Sequence, residues 1–348
     1  MQKCIAVLTG ILVLVMISGV SYSQSNKDTL YFKNGNRIIG ELKSLDAGIV
    51  TIETDYSDKD FAIEWKKVTS IKAGTRFLIT LKDGVRLNGT MESVGDSGKL
   101  ALKGKRSIHA EDETIEANLS DVVYLKGLES KFWGRVYTNI DFGFSMTKAN
   151  SLKQYSGRTL FGYLADKWAL DFSFDALRNK QDSIASTNRT EAKAAFTYFL
   201  PNDWLLGTSI NWLSNTEQAL KLRTTGKLGA GKFLIHTNKR YWKTLGGLSF
   251  NNENFSNNTV SRNSLEGYVG SELSLFDLSH LTLFNTIYIY PSFTENGRWR
   301  SDIKLDLKYD FPKDFYIRFG ATLNYDNRPA VPGRESDYVF GFSIGWEL

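Results

Sequence analysis

Cys4 is the only thiol in the 348 residues, and histidine is limited to His109, His236 and His280. A disulfide needs two thiols, so none can form within one copy of the chain, and removal of an N-terminal signal peptide that contains Cys4 would leave no cysteine for a metal site. The net charge is also low, at +5, and it is spread along the chain without a basic stripe. A nucleic-acid partner is therefore not predicted.

Long apolar runs are absent after the first residues. The apolar run at 5–17 follows Lys3 and precedes Ser21 and Ser23, which is the pattern of a signal peptide with a small-residue cleavage site. We predict a signal peptide over residues 1–23, with a retained transmembrane anchor as the alternative. No later segment offers the roughly 18 consecutive apolar residues that a transmembrane helix needs. The chain is therefore predicted to be exported.

Residues 28–127 contain an internal repeat with an offset of 49 residues, since YFKNGNRIIGEL at 31–42 corresponds to ITLKDGVRLNGTM at 79–91. Each copy places an Asn-Gly or Asp-Gly dipeptide between short β-branched or aromatic runs, which is the strongest short-range hairpin signal. We predict two small SH3-like or Sm-like β-barrel repeats, over residues 28–74 and 75–127.

The first repeat contains two aromatic residues, Phe61 and Trp65, that could form a binding platform. The alternative, which we favour, is that they fill the core, because so small a barrel needs every large side chain that it has. Arg37 and Arg86 occupy equivalent positions in the two repeats and are predicted to be solvated edge residues, with a role as anion ligands as the less favoured alternative.

From residue 131 the chain changes to longer strands in which apolar and polar residues alternate, as in DIKLDLKYDF at 302–311. Such alternation indicates a strand whose two faces meet different solvents, and this length exceeds that of most strands in soluble proteins. We predict an all-β chain in which residues 131–348 form a roughly 12-stranded antiparallel transmembrane β-barrel.

The connections between these strands alternate in length. Short polar turns are predicted at 165–167, 201–203, 236–240, 277–280 and 312–314, and longer loops at 147–152, 180–188, 214–218, 254–260 and 327–336. Barrels of the outer membrane place their short turns in the periplasm. Because the barrel segment begins on the short-turn side, we predict a location in the cell outer membrane with the repeats in the periplasm.

The last predicted strand has one entirely apolar face, formed by Tyr338, Phe340, Phe342, Ile344, Trp346 and Leu348. Such a face fits contact with lipid, and we expect the strand edge to pair with the first strand and close the barrel. The pattern also resembles the C-terminal assembly signal of outer-membrane proteins, most of which end in Phe. Tryptophans near the strand ends are predicted to form interfacial girdles, namely Trp133, Trp168, Trp204, Trp212, Trp242, Trp299 and Trp346.

The pattern of twelve alternating strands, together with the segment FWGRVYTNIDFGFSMTKANS at 132–151, resembles the salt-induced outer-membrane protein family, domain of unknown function 481 (DUF481). Gly134, Gly143, Phe144, Thr147 and Asn150 stand in places comparable to the early strand of that family. Ala149 stands where a Gly is common. The resemblance covers about 131–348, and it implies an outer-membrane barrel without an established substrate or activity.

Charged residues of both signs are predicted to face the lumen. The candidate network consists of Arg135, Asp141, Asp171, Glu191, Lys193, Glu272, Asp302, Lys304, Asp306, Lys308 and Arg318. A selective pore would show charges of one sign at its constriction, so the mixture favours a filled lumen over a small diffusion pore. Asp302, Asp306 and Glu272 could form a cation site, but the lysines among them favour salt bridges.

No enzyme is predicted, because a Ser–His dyad needs an oriented histidine and no G-x-S-x-G motif accompanies the three histidines. Catalytic residues, cofactors and metals are therefore not predicted. The predicted role is in envelope integrity or anchoring, with residues 28–126 binding a periplasmic protein or peptidoglycan. A narrow passive channel for small polar solutes or ions is the alternative, and a lipid-active enzyme is less favoured. Outer-membrane lipid and the barrel-assembly machinery are the other predicted partners.

Overall fold

A computed structural model describes residues 27–95, 98–106, 110–127, 135–148, 151–181, 184–216, 220–256, 261–278, 280–312, 315–329 and 335–346. The predicted signal peptide at 1–23 lies outside this set, as do His109, Trp133, Gly134, Ala149, Asn150 and Leu348. Within the described ranges, no helix is both long enough and apolar enough to cross a membrane. Two 3₁₀ turns, Trp65–Lys67 and Leu119–Asp121, lie in the described part of the N-terminal half.

Nine strands form the sheet of the N-terminal module, which we define as residues 27–127. They are β1 (Asp28–Phe32), β2 (Arg37–Asp46), β3 (Ile49–Glu53), β4 (Phe61–Glu64), β5 (Val68–Leu81), β6 (Arg86–Val94), β7 (Lys99–Lys105), β8 (Glu113–Asn118) and β9 (Val122–Gly127). Their order is β4-β3-β2-β1-β5-β6-β7-β8, and β9 pairs with both β2 and β5.

The two predicted repeats are present, and they share strand β5. Its first part pairs with β1, and its second part pairs with β6 and β9. The first turn of each repeat is the same, because the amide of Gly35 donates to the carbonyl of Phe32 at 3.0 Å and that of Gly84 to Leu81 at 2.9 Å. The predicted boundary between residues 74 and 75 therefore lies inside a continuous strand.

The last strand of each repeat crosses to the other repeat, so that the two share one core. Leu125 on β9 lies opposite Leu45 on β2, and Ala73 on β5 lies opposite Met91 on β6. All four side chains belong to one buried hydrophobic cluster. Trp65 belongs to it as well, and its indole Nε1 donates to the carbonyl of Leu119 in the second repeat at 2.9 Å. The predicted core role of Trp65 is therefore confirmed, whereas that of Phe61 is wrong, because its side chain is exposed at the start of β4.

Twelve further strands form a second antiparallel sheet, in sequence order. They are β10 (Val136–Thr147), β11 (Leu152–Leu164), β12 (Trp168–Gln181), β13 (Ile184–Phe199), β14 (Trp204–Asn215), β15 (Leu220–Thr237), β16 (Arg240–Phe255), β17 (Arg262–Leu278), β18 (Leu281–Pro291), β19 (Trp299–Asp310), β20 (Phe315–Asp326) and β21 (Ser336–Trp346). The predicted all-β fold with a twelve-stranded antiparallel barrel sheet is confirmed.

The sheet curls so that its two faces meet different surroundings. On β12, Leu170, Phe172 and Phe174 are exposed, whereas the residues between them are only partly exposed. On the inner side, the Nζ atom of Lys227 on β15 lies 2.9 Å from the hydroxyl of Tyr290 on β18. A contact across two intervening strands requires strong curvature. The alternation predicted from the sequence therefore separates an apolar outer face from a polar inner face.

The edges of this sheet differ from the expected closure. Among the described residues, β10 pairs only with β11 and β21 only with β20, so no ladder joins the first strand to the last. Most residues of both strands are exposed on both faces, with Phe142 at 87% and Phe342 at 65%. One edge of each strand thus keeps its backbone N–H and C=O groups available for a further ladder.

Candidate functional site: the lumen and its capped end

The inner face surrounds a cavity of about 700 Å³ between β13 and β19. Its charged lining residues are Glu191, Lys193, Arg223, Lys227, Lys243, Glu272, Arg300 and Asp302. Both signs are therefore present around the same space, as predicted for the lumen.

Three tyrosine rings surround the ammonium group of Lys227 on the wall of this cavity. The Nζ atom lies 5.8, 5.7 and 4.7 Å from the ring centroids of Tyr268, Tyr288 and Tyr290. These distances are within the range of cation–π attraction. Lys227 is thus held by aromatic rings and one hydroxyl.

A buried ion pair lies beside the cavity, between Glu266 on β17 and Arg300 on β19. Glu266 is fully buried and accepts from Arg300 Nε at 3.1 Å and Nη2 at 2.6 Å. Asn251 Nδ2 also donates to Glu266, at 2.9 Å, and the Ser264 hydroxyl donates at 3.3 Å. Bidentate geometry with further donors is the arrangement that compensates for burying a carboxylate.

The segment between β18 and β19 folds over the long-loop end. The amide of Phe293 donates to the carbonyl of Leu265 at 2.8 Å, which ties the segment to β17. Arg298, 4% exposed, donates to Asp326 through Nε at 3.1 Å and Nη2 at 2.6 Å, and to Glu295 through Nη1 at 3.0 Å. Ion pairs of the buried Arg298 therefore hold this segment against the long-loop end of β17–β20.

The predicted network is divided into several groups by the structure. Asp141, Arg158, Asp175 and Glu191 lie opposite one another across β10–β13, and Arg158 Nε donates to Asp175 at 2.6 Å. This row lines a second cavity, of about 670 Å³, on the side of the sheet that ends at β10.

Most of the remaining network residues pair with near neighbours. Lys243 Nζ lies 2.6 Å from Glu272 Oε2, and Tyr288 also donates to Glu272. Two more ion pairs lie along β19, Lys304 with Asp306 at 3.5 Å and Lys308 with Asp310 at 3.0 Å. Asp171 accepts a hydrogen bond from Tyr137, and the Arg318 guanidinium lies over the Tyr316 ring. Lys193 and Asp302 line the cavity wall. Within the described ranges, no cluster of three His, Cys, Asp or Glu residues could hold a metal ion.

Part of the network was not predicted from the sequence. Arg298, Arg300 and Asp326 were not proposed, and neither were the three tyrosines around Lys227. Arg300 lies two residues before Asp302 on β19, so both side chains are on the same face of the strand. This spacing could have predicted that Arg300 faces the lumen. Arg298 lies outside the strands, and no alternation pattern could have found it.

The N-terminal module packs against the short-turn end of the barrel, and two tight turns make the approach. Gly48 and Gly84 have φ of 76° and 81°, in the left-handed region that favours glycine. A Cβ atom at Gly48 would overlap the carbonyl of Asn238, and one at Gly84 would overlap the amide of Asp203. The β2–β3 turn of the first repeat and the β5–β6 turn of the second therefore meet two different turns of the barrel.

Side chains add polar contacts to this docked interface. Asn238 Nδ2 donates to the carbonyl of Val122 at 2.6 Å, and the Tyr241 hydroxyl lies 3.2 Å from Asp46 Oδ1. The carboxylate of Asp166 accepts from Asn88 Nδ2 at 3.1 Å and from Arg135 Nη1 at 3.0 Å. Arg135 therefore lies in the docked interface, apart from the rest of the predicted lumenal network.

The prediction that Arg86 is solvated is wrong, whereas Arg37 is exposed as expected. The Arg86 guanidinium lies 3.8 Å from the centroid of the Phe199 ring, and its Nε donates to the Asp166 carbonyl at 3.2 Å. Burial lowers the pKa of Arg86 to about 10. The two arginines differ because only the second repeat presents this edge to the barrel.

His236 is the described histidine with a carboxylate partner. Its Nδ1 atom lies 2.8 Å from Asp203 Oδ1, and its ring stacks on Phe233 with centroids 4.4 Å apart. The pair lies at the docked interface and forms part of the wall of a cavity between the module and the barrel.

Comparison with known proteins gives one family match. A family model described as a protein of unknown function, DUF481, matches residues 140–347, which is more than half of the chain. No curated protein and no solved structure matches the chain.

Proposed function

The chain belongs to the DUF481 family, and on this premise we propose that it is an outer-membrane β-barrel that anchors and orients the N-terminal module at the periplasmic side. The observation that carries the proposal is the module docked on the short-turn end through the Arg86, Asn88 and Asn238 contacts. Barrels of the outer membrane keep short turns in the periplasm, so docking at this end fits that orientation.

The surface of the barrel supports a membrane location. Its outer side chains are large and apolar, and Trp204, Trp242, Trp299 and Trp346 are exposed near strand ends, where interfacial aromatic belts occur. A soluble location would leave this apolar surface in water. Export by residues 1–23 and insertion by the barrel-assembly machinery form part of the proposal. Fractionation tests both: recovery in the cytoplasm would contradict export, and recovery as a soluble periplasmic species would contradict insertion.

Closure of the barrel through β10 and β21 is a further part of the proposal. An unpaired strand edge in hydrocarbon leaves each N–H and C=O group without a partner, at several kcal/mol per group. We therefore expect a β10–β21 ladder in lipid vesicles.

A disulfide panel tests closure, in a background where Cys4 is replaced by serine. Asn139→Cys on the inner face of β10 is combined in turn with cysteine at Val339, Gly341, Ser343 or Gly345 on the inner face of β21. Closure predicts that at least one pair crosslinks under mild oxidation, because disulfides need Cα atoms about 4.4–6.8 Å apart. Asn139→Cys with Phe342→Cys is the matched control, on opposite faces. Folded protein in which no inner pair crosslinks would contradict closure.

Planar-bilayer recording tests the anchoring role against the narrow diffusion channel. The segment between β18 and β19 at the long-loop end and the module docked at the short-turn end lead us to expect that protein lacking residues 1–23 gives no stepwise conductance. Heat-modifiable migration on a gel controls for a folded barrel. Reproducible current steps from the folded protein would contradict the anchoring proposal and favour the channel.

The exposed side of the module provides a face for the periplasmic partner, a protein or peptidoglycan. Tyr56 and Phe61 are exposed, and their rings lie 6.2 Å apart. Co-sedimentation with purified peptidoglycan, compared between the full chain and a variant lacking residues 28–126, tests the glycan option. Equal sedimentation of both proteins would exclude the module as the binding element.

A further inference from the structure

The cavity between the module and the barrel has features of a ligand site that the anchoring role does not require. Its volume is about 270 Å³, and it lies between the second repeat of the module and strands β11 and β13–β16. Leu164, Phe199, Leu200, Trp204 and Phe233 form its apolar wall. Sites for small molecules are commonly of this kind, mostly apolar with a few converging polar groups.

Arg86 supplies the cation of this cavity, and part of its hydrogen-bonding capacity is unused. Its Nη2 atom is buried and has no hydrogen-bond partner among the described residues. Asp166 and Asp203 interact with it electrostatically, but their carboxylates are paired with Arg135 and His236. A buried cation whose neighbouring carboxylates are shared with other cations is incompletely compensated, and a bound anion would reduce that penalty.

Two further groups on the wall can donate to an anion. Thr80 is 4% exposed, and its hydroxyl also lacks a partner within the described ranges. Burial raises the pKa of Tyr124 to about 12, so that its phenol stays protonated at neutral pH. Arg86, Thr80 and Tyr124 all line the same cavity and all belong to the module, while most of the apolar wall comes from the barrel.

We infer that this cavity binds a small monocarboxylate with an aromatic or short aliphatic body, whose carboxylate meets Arg86 and Thr80. A guanidinium pairs well with a carboxylate because its N–H groups match the two oxygens. A monoanion fits better than a dianion, because Asp46 and Asp203 also line the cavity. The ligand would lie between module and barrel, and would therefore stabilise the docked arrangement.

Fluorine NMR with 4-fluorobenzoate as the probe tests the site, using full-length protein in detergent micelles. The neutral isostere 4-fluorobenzyl alcohol controls for partition into micelles. We expect saturable binding of 4-fluorobenzoate, displaced by unlabelled benzoate, and no saturable binding of the alcohol. Arg86→Gln removes the ion pair between the guanidinium and the carboxylate of the probe, and it should weaken binding at least about tenfold. Arg37→Gln, the equivalent position in the first repeat, should bind like the wild type.

A second variant keeps the test decisive if Arg86→Gln releases the module. Thr80→Val preserves volume and leaves Arg86 in place, and it should weaken binding severalfold. Hydrogen exchange over residues 199–205 reports whether the module remains docked in each variant. Three results would overturn the inference: no saturable binding by the docked wild type, wild-type affinity in docked Arg86→Gln, or wild-type affinity in docked Thr80→Val. The cavity would then hold water only.

Discussion

Phe342→Arg should destabilise the barrel by about 2–4 kcal/mol and reduce its assembly into vesicles, because arginine is unfavourable on a lipid-facing strand near the bilayer midplane. Phe342 lies in the middle of β21, opposite Phe319 on β20, and its side chain is 65% exposed. In a soluble protein, arginine would be tolerated at so exposed a position. Loss of stability in Phe342→Arg would therefore indicate that lipid contacts the outer face of the sheet, whereas unchanged stability would indicate water.

The neighbouring residue provides the matched control for this substitution. Gly341 faces the inner side, opposite Gly320, and a Cβ atom there would meet nothing within 4 Å. Gly341→Arg should leave assembly and the urea midpoint close to the wild type, because the new side chain enters the polar lumen. Equal losses in both variants would show that any arginine in β21 is disruptive and would remove the support for lipid contact.

Glu266→Ala should lower the free energy of unfolding by about 3–5 kcal/mol, because it leaves the Arg300 guanidinium buried without its carboxylate. Three residues donate to Glu266, namely Arg300, Asn251 and Ser264. Urea unfolding in lipid vesicles, followed by tryptophan fluorescence, provides the measurement. Glu266→Gln should recover part of the loss, since the amide keeps one acceptor.

The matched control for Glu266 is a solvated pair of the same type. Arg158 and Asp175 form an ion pair at 2.6 Å, with side-chain exposures of 72% and 44%. Water screens such a pair, so Asp175→Ala should leave the unfolding midpoint essentially unchanged. A similar small effect for Glu266→Ala would mean that the buried network does not hold the long-loop end together.

Period-two alternation was enough to predict the twelve barrel strands, because each strand has one apolar and one polar face. The alternating segment at 302–311, for example, lies within β19 except for its last residue. Alternation also assigned the inner residues, but it could not assign their partners. Glu266, for example, pairs with Arg300 two strands away. Which inner residues approach each other across a curled sheet depends on its curvature and on the stagger of its strands, and alternation specifies neither.

Within the module, local patterns predicted the turns and the repeat but not the long-range pairing. Leu45 meets Leu125, far along the chain, through a crossing of strands that no short motif encodes. Arg37 and Arg86 occupy the same place in the repeat, and their immediate surroundings in sequence are similar. Only Arg86 packs against the barrel, so its burial could not be predicted from the sequence around it.

Nitroxide accessibility at positions 342 and 343 in lipid vesicles tests most directly whether hydrocarbon contacts the outer face of the barrel. Each position is labelled as a single cysteine, Phe342→Cys or Ser343→Cys, with Cys4 replaced by serine. We predict that the label at 342 collides readily with oxygen and rarely with a water-soluble nickel complex, and that the label at 343 shows the reverse. Ready collision of the 342 label with nickel, to the same extent as at 343, would contradict the account.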